Sequence, residues 1–158
     1  MILYHGGNVA VFEPKLMPVK RLLDFGIGFY MTSDFEQANK WAQSRARIRK
    51  EGRAVVSVFD FDEGNSSGLN IVRFKEPDQE WLRYVVANRT SMQNVKDYDI
   101  VIGPVANDQT VRTISDYING YLTEDMALQL LLPQKLKDQF AFKTETALQS
   151  LHFKETVQ

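Results

Sequence analysis

The order of segments along the chain predicts an α+β fold. Strand-like and helix-like stretches mix without the regular alternation that builds a doubly wound sheet. The clearest strand signals are the β-branched and aromatic runs Val55-Val56-Ser57-Val58-Phe59-Asp60-Phe61 and Tyr98 to Val105, while Phe35 to Lys50 and Asp78 to Asn88 carry apolar residues at helical spacing. A length of 158 residues suits one domain with a proper core and leaves no comfortable room for two. No internal repeat, low-complexity tract or linker composition divides the chain, so residues 1–158 are expected to form one domain.

Ile2-Leu3-Tyr4-His5 is a short β-prone run that meets a turn at Gly6-Gly7. Asn8 to Phe25 is irregular, opposed by Pro14 and Pro18, and suits a loop with at most one helical turn. Gly26-Ile27-Gly28-Phe29-Tyr30-Met31-Thr32 reads as a second strand entered through two glycines, followed by a helix that Ser33 or Asp34 can cap. After the Val55–Phe61 strand, Gly64 to Gly68 makes a turn, and Pro77 precedes the second helix. Gly103-Pro104 limits the next strand, Asp108 can cap a helix through Tyr117, and Thr123 begins another that Pro133 ends. Lys135 to Lys143 alternates as a strand, Thr144 caps a short helix carrying Ala147, Leu148 and Leu151, and the tail after Phe153 is expected to fray.

Composition narrows the function classes. An apolar fraction of 44% with 25% charged residues belongs to globular proteins, and a net charge of -1 gives no global field toward nucleic acid or an anionic membrane. The basic run Arg45 to Lys50, extended by Arg53, fits a solvated helix end with cations near its C-terminus. With no cysteine, neither disulfides nor thiolate metal sites form, and two distant histidines give a metal centre little support. No apolar run approaches the roughly 20 residues of a membrane-spanning helix, and no signal-peptide pattern opens the chain. A cytoplasmic protein without a membrane partner is expected.

Gly26-Ile27-Gly28 lacks the third glycine and following helix of a dinucleotide fold, and no phosphate-loop motif is present. What remains is Leu3-Tyr4-His5-Gly6 ending the first strand and Gly26-Ile27-Gly28-Phe29-Tyr30 entering the second. Together these resemble the ADP-ribosyltransferase superfamily, in the branch that includes the poly-ADP-ribose polymerases, and more closely an uncharacterised bacterial family assigned to it. The resemblance covers Met1 to about Leu151 and implies split mixed and antiparallel sheets with flanking helices, and NAD as co-substrate. It places His5 on a ribose hydroxyl, the Gly6 backbone on the nicotinamide carboxamide, Tyr30 beside the nicotinamide ring and Trp41 on its other face. Gly28, within the second motif, joins the cofactor-binding set. His5 packed at a strand end, Tyr30 as a core tyrosine and Trp41 as core filler are the alternatives.

The third family position is a glutamate on a late strand that stabilises the cationic oxocarbenium transition state. Lys137-Asp138-Gln139-Phe140-Ala141-Phe142 matches that strand and puts Gln139 in the glutamate's place. An amide still bonds a ribose hydroxyl but brings no full negative charge. Asp138 is expected on the opposite strand face, and Glu145 lies beyond the strand. Lys20 and Arg21 are candidates for the NAD pyrophosphate or a solvent-exposed pair; Asn88-Arg89 and Asn107-Asp108 are caps and turn residues or site loops.

The expected function is NAD-dependent mono-ADP-ribosyl transfer to a protein, nucleic acid or small-molecule acceptor. The resemblance also implies a bacterial toxin or a toxin-antitoxin component with an antitoxin protein as partner. The rivals are a catalytically silent NAD- or nucleotide-binding or protein-docking module, an NAD glycohydrolase, and an RNA 2′-phosphotransferase-like enzyme.

Overall fold

The computed structural model describes residues 1–18, 22–91 and 98–158. Its elements are β1 (Ile2–Gly7), β2 (Phe29–Met31), α1 (Phe35–Arg49), β3 (Val55–Phe61), β4 (Ile71–Arg73), α2 (Gln79–Thr90) and β5 (Ile100–Pro104), then α3 (Asp108–Ile118), α4 (Glu124–Leu131), β6 (Asp138–Phe142), α5 (Glu145–Leu148) and β7 (Leu151–Val157). The fold is α+β with two sheets. One is antiparallel, ordered β1-β3-β7, and the other is mixed, ordered β2-β6-β5-β4, with β4 and β5 parallel.

Strand alternation sorts the core into three. Leu3 and Phe59 of the antiparallel sheet face Phe29, Met31, Phe140 and Phe142 of the mixed sheet, forming a core between the two. The other face of the mixed sheet buries Ala141 and Val101 against Trp81, Leu82 and Val85 of α2, with Ile114 and Leu131 from α3 and α4. The other face of the antiparallel sheet receives α1 through Ala38 and Ala42. These are two small side chains on one helical stripe, and they let α1 lie close to β1.

Helix starts follow their capping chemistry. Asp34 caps α1 by accepting from Gln37 N, Asp78 caps α2 through Trp81 N, and Thr123 caps α4 through Met126 N. The cap of α3 is Asn107 rather than the expected Asp108, which becomes the first helical residue. Lys50 ends α1 in the left-handed conformation, with Arg47 and Arg49 in the last turn.

Two elements depart from expectation. The segment from Leu151 is a seven-residue strand rather than a helix end and a frayed tail, because β3 pairs with it from Val56↔Val157 to Phe61↔Leu151. Its side chains from His152 to Thr156 are exposed, so no alternation announces it. The unexpected β4 is three residues long, too short to show a period.

Gly6 occupies the tightest contact in this frame: a Cβ there would lie 1.9 Å from the Ala38 carbonyl oxygen. Gly6→Ala is therefore expected to push α1 off β1 and lower unfolding free energy by about 1–3 kcal/mol. Urea denaturation followed by tryptophan fluorescence measures this, and an unchanged midpoint would refute the close-approach account.

Candidate functional site

The two sheets touch at one isolated antiparallel bridge. Tyr4 N donates to Thr32 O at 2.8 Å, and Thr32 N donates to Tyr4 O at 3.0 Å. In that register the next pair would be Gly6 with Tyr30, and it does not form. Instead His5 Nδ1 donates to Tyr30 O at 2.8 Å, so a side chain takes the carbonyl that a continuing ladder would have used. Beyond Thr32 the strands part.

Alternation then fixes what faces the gap. Met1 O accepts from Phe61 N on the β3 side, so residues 1, 3, 5 and 7 turn their backbone polar groups toward β3. Tyr4 and Gly6 turn theirs the other way. The N–H and C=O of Gly6 thus point to the β2 side, a donor and an acceptor of one residue that has no side chain.

A carbonyl only accepts, so the Nδ1 of His5 carries the proton and Nε2 of the neutral ring is left as an acceptor. The ring stacks on Phe29, centroids 4.3 Å apart and planes 23° apart. Burial holds the imidazole below its ordinary range; the carbonyl bond opposes this, and the Arg45 cation adds to it. His5 is therefore a neutral acceptor at physiological pH.

Tyr30 turns its ring to the other face, against the α2 core. Its hydroxyl donates to Gly26 O at 2.7 Å and accepts from Phe25 N at 3.1 Å, closing the glycine turn back onto the strand. Burial pushes that phenol far above its ordinary pKa, so it stays protonated. Gly26 has φ +79°, and a Cβ there would lie 2.7 Å from Asn88 Oδ1. Gly28 is held against the Phe142 carbonyl, 3.0 Å from where its Cβ would sit.

The end of α2 anchors this turn. Arg89 Nε and a terminal nitrogen both reach Asp24 Oδ1, at 2.6 and 2.5 Å, with both side chains largely buried. Asn88 donates to Tyr84 O at 2.9 Å. Neither residue is an ordinary cap: the pair holds the loop that aims Tyr30.

Gln139 is buried, in register with Gly103 of β5, and shares a face of the mixed sheet with Tyr30, whose partner is Ala141 two residues on. Its Nε2 donates to Pro104 O at 3.4 Å, a carbonyl that also accepts from Trp81 Nε1 at 3.1 Å. Among the described residues no donor reaches its Oε1. Gln139 as a whole is only 4% exposed. The expected opposite placement of Asp138 fits its bonds: its carboxylate accepts from Thr32 Oγ1, Ser33 N and Ser33 Oγ at 3.1, 2.9 and 2.5 Å, tying β6 to the start of α1.

Trp41 is half-buried on α1 and makes no ring contact with Tyr30 among the described residues. One turn before it, Gln37 Nε2 donates to Asp138 O at 2.9 Å, which ties α1 to the start of β6. Gln37 is a site residue that the motifs do not reveal; its signal is its position four residues before Trp41. Lys20 and Arg21, the pyrophosphate candidates, lie outside the described residues. Among the described residues no group of three or more His, Asp or Glu stands close enough to hold a metal, and no helix is long and apolar enough to cross a membrane.

The imidazole supplies a test of this geometry. The folded state holds the His5 proton less tightly than the unfolded chain, whose value lies near 6.5. Unfolding thus takes up a proton between the lowered value and 6.5, and stability falls as pH drops through that window, by at most about 1.4 kcal/mol per pH unit. Urea melts from neutral pH to about 5 should show this slope reduced in His5→Gln. An identical slope in both proteins would mean that His5 is not buried as a neutral ring.

No curated protein and no solved structure matches the chain. A family model described as "Protein of unknown function (DUF3990)" matches residues 1–153, nearly its whole length, and the chain therefore belongs to that family.

Proposed function

We propose that the gap between β1 and β2 binds NAD and that the protein is a mono-ADP-ribosyltransferase. The observation that carries this reading is the parting of the strands at His5. It sets a neutral imidazole acceptor beside a bare backbone donor and acceptor at Gly6. A primary carboxamide, with one acceptor and two donors, is the complement of that backbone pair, and a ribose hydroxyl is the complement of Nε2. Tyr30 contributes its backbone to this edge while its ring packs on the α2 side, so its part in the site is to fix β2 rather than to stack.

The reaction then asks little acid or base chemistry of the chain. The bond between the nicotinamide nitrogen and ribose C1′ breaks, and its electron pair leaves with neutral nicotinamide. An oxygen or nitrogen of the acceptor bonds to C1′ and gives its proton to solvent. The protein's tasks are to orient NAD, keep water away from C1′ and stabilise the cationic ribose. Gln139 Oε1 meets that cation with a partial negative charge in place of a carboxylate's full one. NAD in this role is a co-substrate, and no metal enters the scheme. A cytoplasmic toxin, paired with an antitoxin protein, is the setting that fits such an activity.

A second reading has its own observation. The amide of Gln139 is anchored to Pro104 O, as a purely structural residue would be, and a chain that binds NAD without turning it over needs nothing more there. Calorimetry with NAD and an assay of nicotinamide release separate the two. His5→Ala and Tyr30→Ala are expected to abolish binding. Gln139→Glu is expected to keep binding and raise nicotinamide release per folded molecule by on the order of 100-fold. A lower release from folded Gln139→Glu protein would refute the electrostatic account, and NAD binding without release for any acceptor would leave the silent module.

A further inference from the structure

A second recess opens beside the first. A cleft of about 250 Å3 lies at the end of the mixed sheet where β4 and β5 finish and β6 begins. Arg73 and Lys75 stand on one lip and Lys137 on the other, while the partly exposed Phe74 and Leu136 supply apolar wall. The cations come from segments more than sixty residues apart in sequence, so no basic run in the chain announces them. The cleft adjoins the proposed donor site through two of its own residues. Pro104 carries the carbonyl that Gln139 holds, and Asp138 is the next residue back along β6.

Resting on the transferase reading, we infer that this cleft receives the acceptor, and that the acceptor is a single-stranded nucleic acid. The argument is the pairing of charge and apolar wall. Three cations on the lips meet phosphates, and an apolar wall between them takes the face of an unstacked base. An acidic peptide would satisfy the cations and leave the wall bare; a duplex would keep its bases stacked away from it. Arg73 pairs with Glu63 and Lys137 with Asp34, and both cations are themselves exposed. Exposed pairs are worth little, and each cation keeps further donors for a phosphate. The carboxylate on the wall, Asp138, is already engaged by Thr32 and Ser33. A strand lying in the cleft would run along Asp138 toward Gln139, which brings its nucleophile to the ribose side of the gap.

The test uses a short fluorescent single-stranded oligonucleotide, in RNA and DNA forms, with binding followed by anisotropy in the absence of NAD. Wild-type protein is expected to bind at least one form with an affinity that falls steeply with salt. Lys75→Glu combined with Lys137→Glu should weaken binding roughly tenfold or more. Arg47→Glu combined with Arg49→Glu, which removes as much charge from the exposed end of α1, should leave it unchanged. Lys75→Ala provides a milder variant should the double reversal fail to fold. No binding to either form, equal loss in the α1 variants, or equal displacement by polyglutamate would overturn the inference. Calorimetry with NAD on the same proteins keeps the two readings apart: NAD binding without oligonucleotide binding defeats the acceptor assignment alone. Oligonucleotide binding without NAD binding defeats the donor site and, with it, the acceptor role of the cleft.

Discussion

The hydrogen bond from His5 Nδ1 to Tyr30 O is the contact on which the rest of the arrangement depends. Two sheets of this kind could join into one if the Tyr4–Thr32 bridge continued, since Gly6 and Tyr30 are the next pair in register. An imidazole in place of a backbone N–H stops the ladder after one bridge, and the backbone groups of Gly6 are left facing a gap. Such groups are costly when buried without partners, which is why sheets seldom end in this way inside a protein. Among the described residues Gly6 N and O have no partner, and such a pair is satisfied by a polar group with one donor and one acceptor. The same bond settles the ring's tautomer, and burial keeps it neutral, so the histidine acts as an acceptor rather than a cation.

Holding a three-residue strand in this position takes support from outside it. β2 contributes only Phe29, Tyr30 and Met31, and its preceding turn is fixed at three points. The Tyr30 hydroxyl closes the turn on itself, the Gly26 backbone fits under Asn88, and Arg89 holds Asp24 in a largely buried ion pair. Burying such a pair has a desolvation cost that its attraction repays only in good geometry, so its value here is positional: it sets where the turn sits. On the far side, Asp138 and Gln37 tie the start of α1 to β6. The gap is thus framed by rigid elements, and the turn that could flex is clamped by α2.

Much of this frame is legible in the sequence, for identifiable reasons. Strands such as Val55–Phe61 declare themselves because buried β-branched and aromatic residues are what a core strand needs, and most caps sit where Asp or Thr precedes a helical pattern. The glycines before Phe29 mark the second strand's entry because one of them requires a positive φ that other residues resist. β7 is hidden because an edge strand with one solvated side after another carries no alternation; only the backbone of β3 defines it. The Asp24–Arg89 clamp and the cationic lips of the cleft join residues distant in sequence, and no local pattern encodes a contact at that range. Gly6 teaches the reverse lesson: the motif marks it as a ligand contact, and the packing shows that it must also be glycine for α1 to approach β1.

Gln139 is where structure and chemistry pull on the same atoms. Pro104 O accepts from both Trp81 and Gln139, and an acceptor in that place selects a donor. A carboxylate would face the carbonyl with like charge and lose the bond, so the amide is the residue that β5 and α2 prefer on packing grounds alone. With the amide nitrogen directed at Pro104 O, the oxygen is the atom without a bond among the described residues. Under the proposed transferase reading, the side chain would offer a ligand an acceptor, as a carboxylate would, with less charge behind it. Orientation of a ribose hydroxyl needs only the acceptor; stabilising a cationic ribose draws on the charge. On that reading, the architecture that fixes Gln139 in place keeps the binding half of the position's chemistry and weakens the electrostatic half.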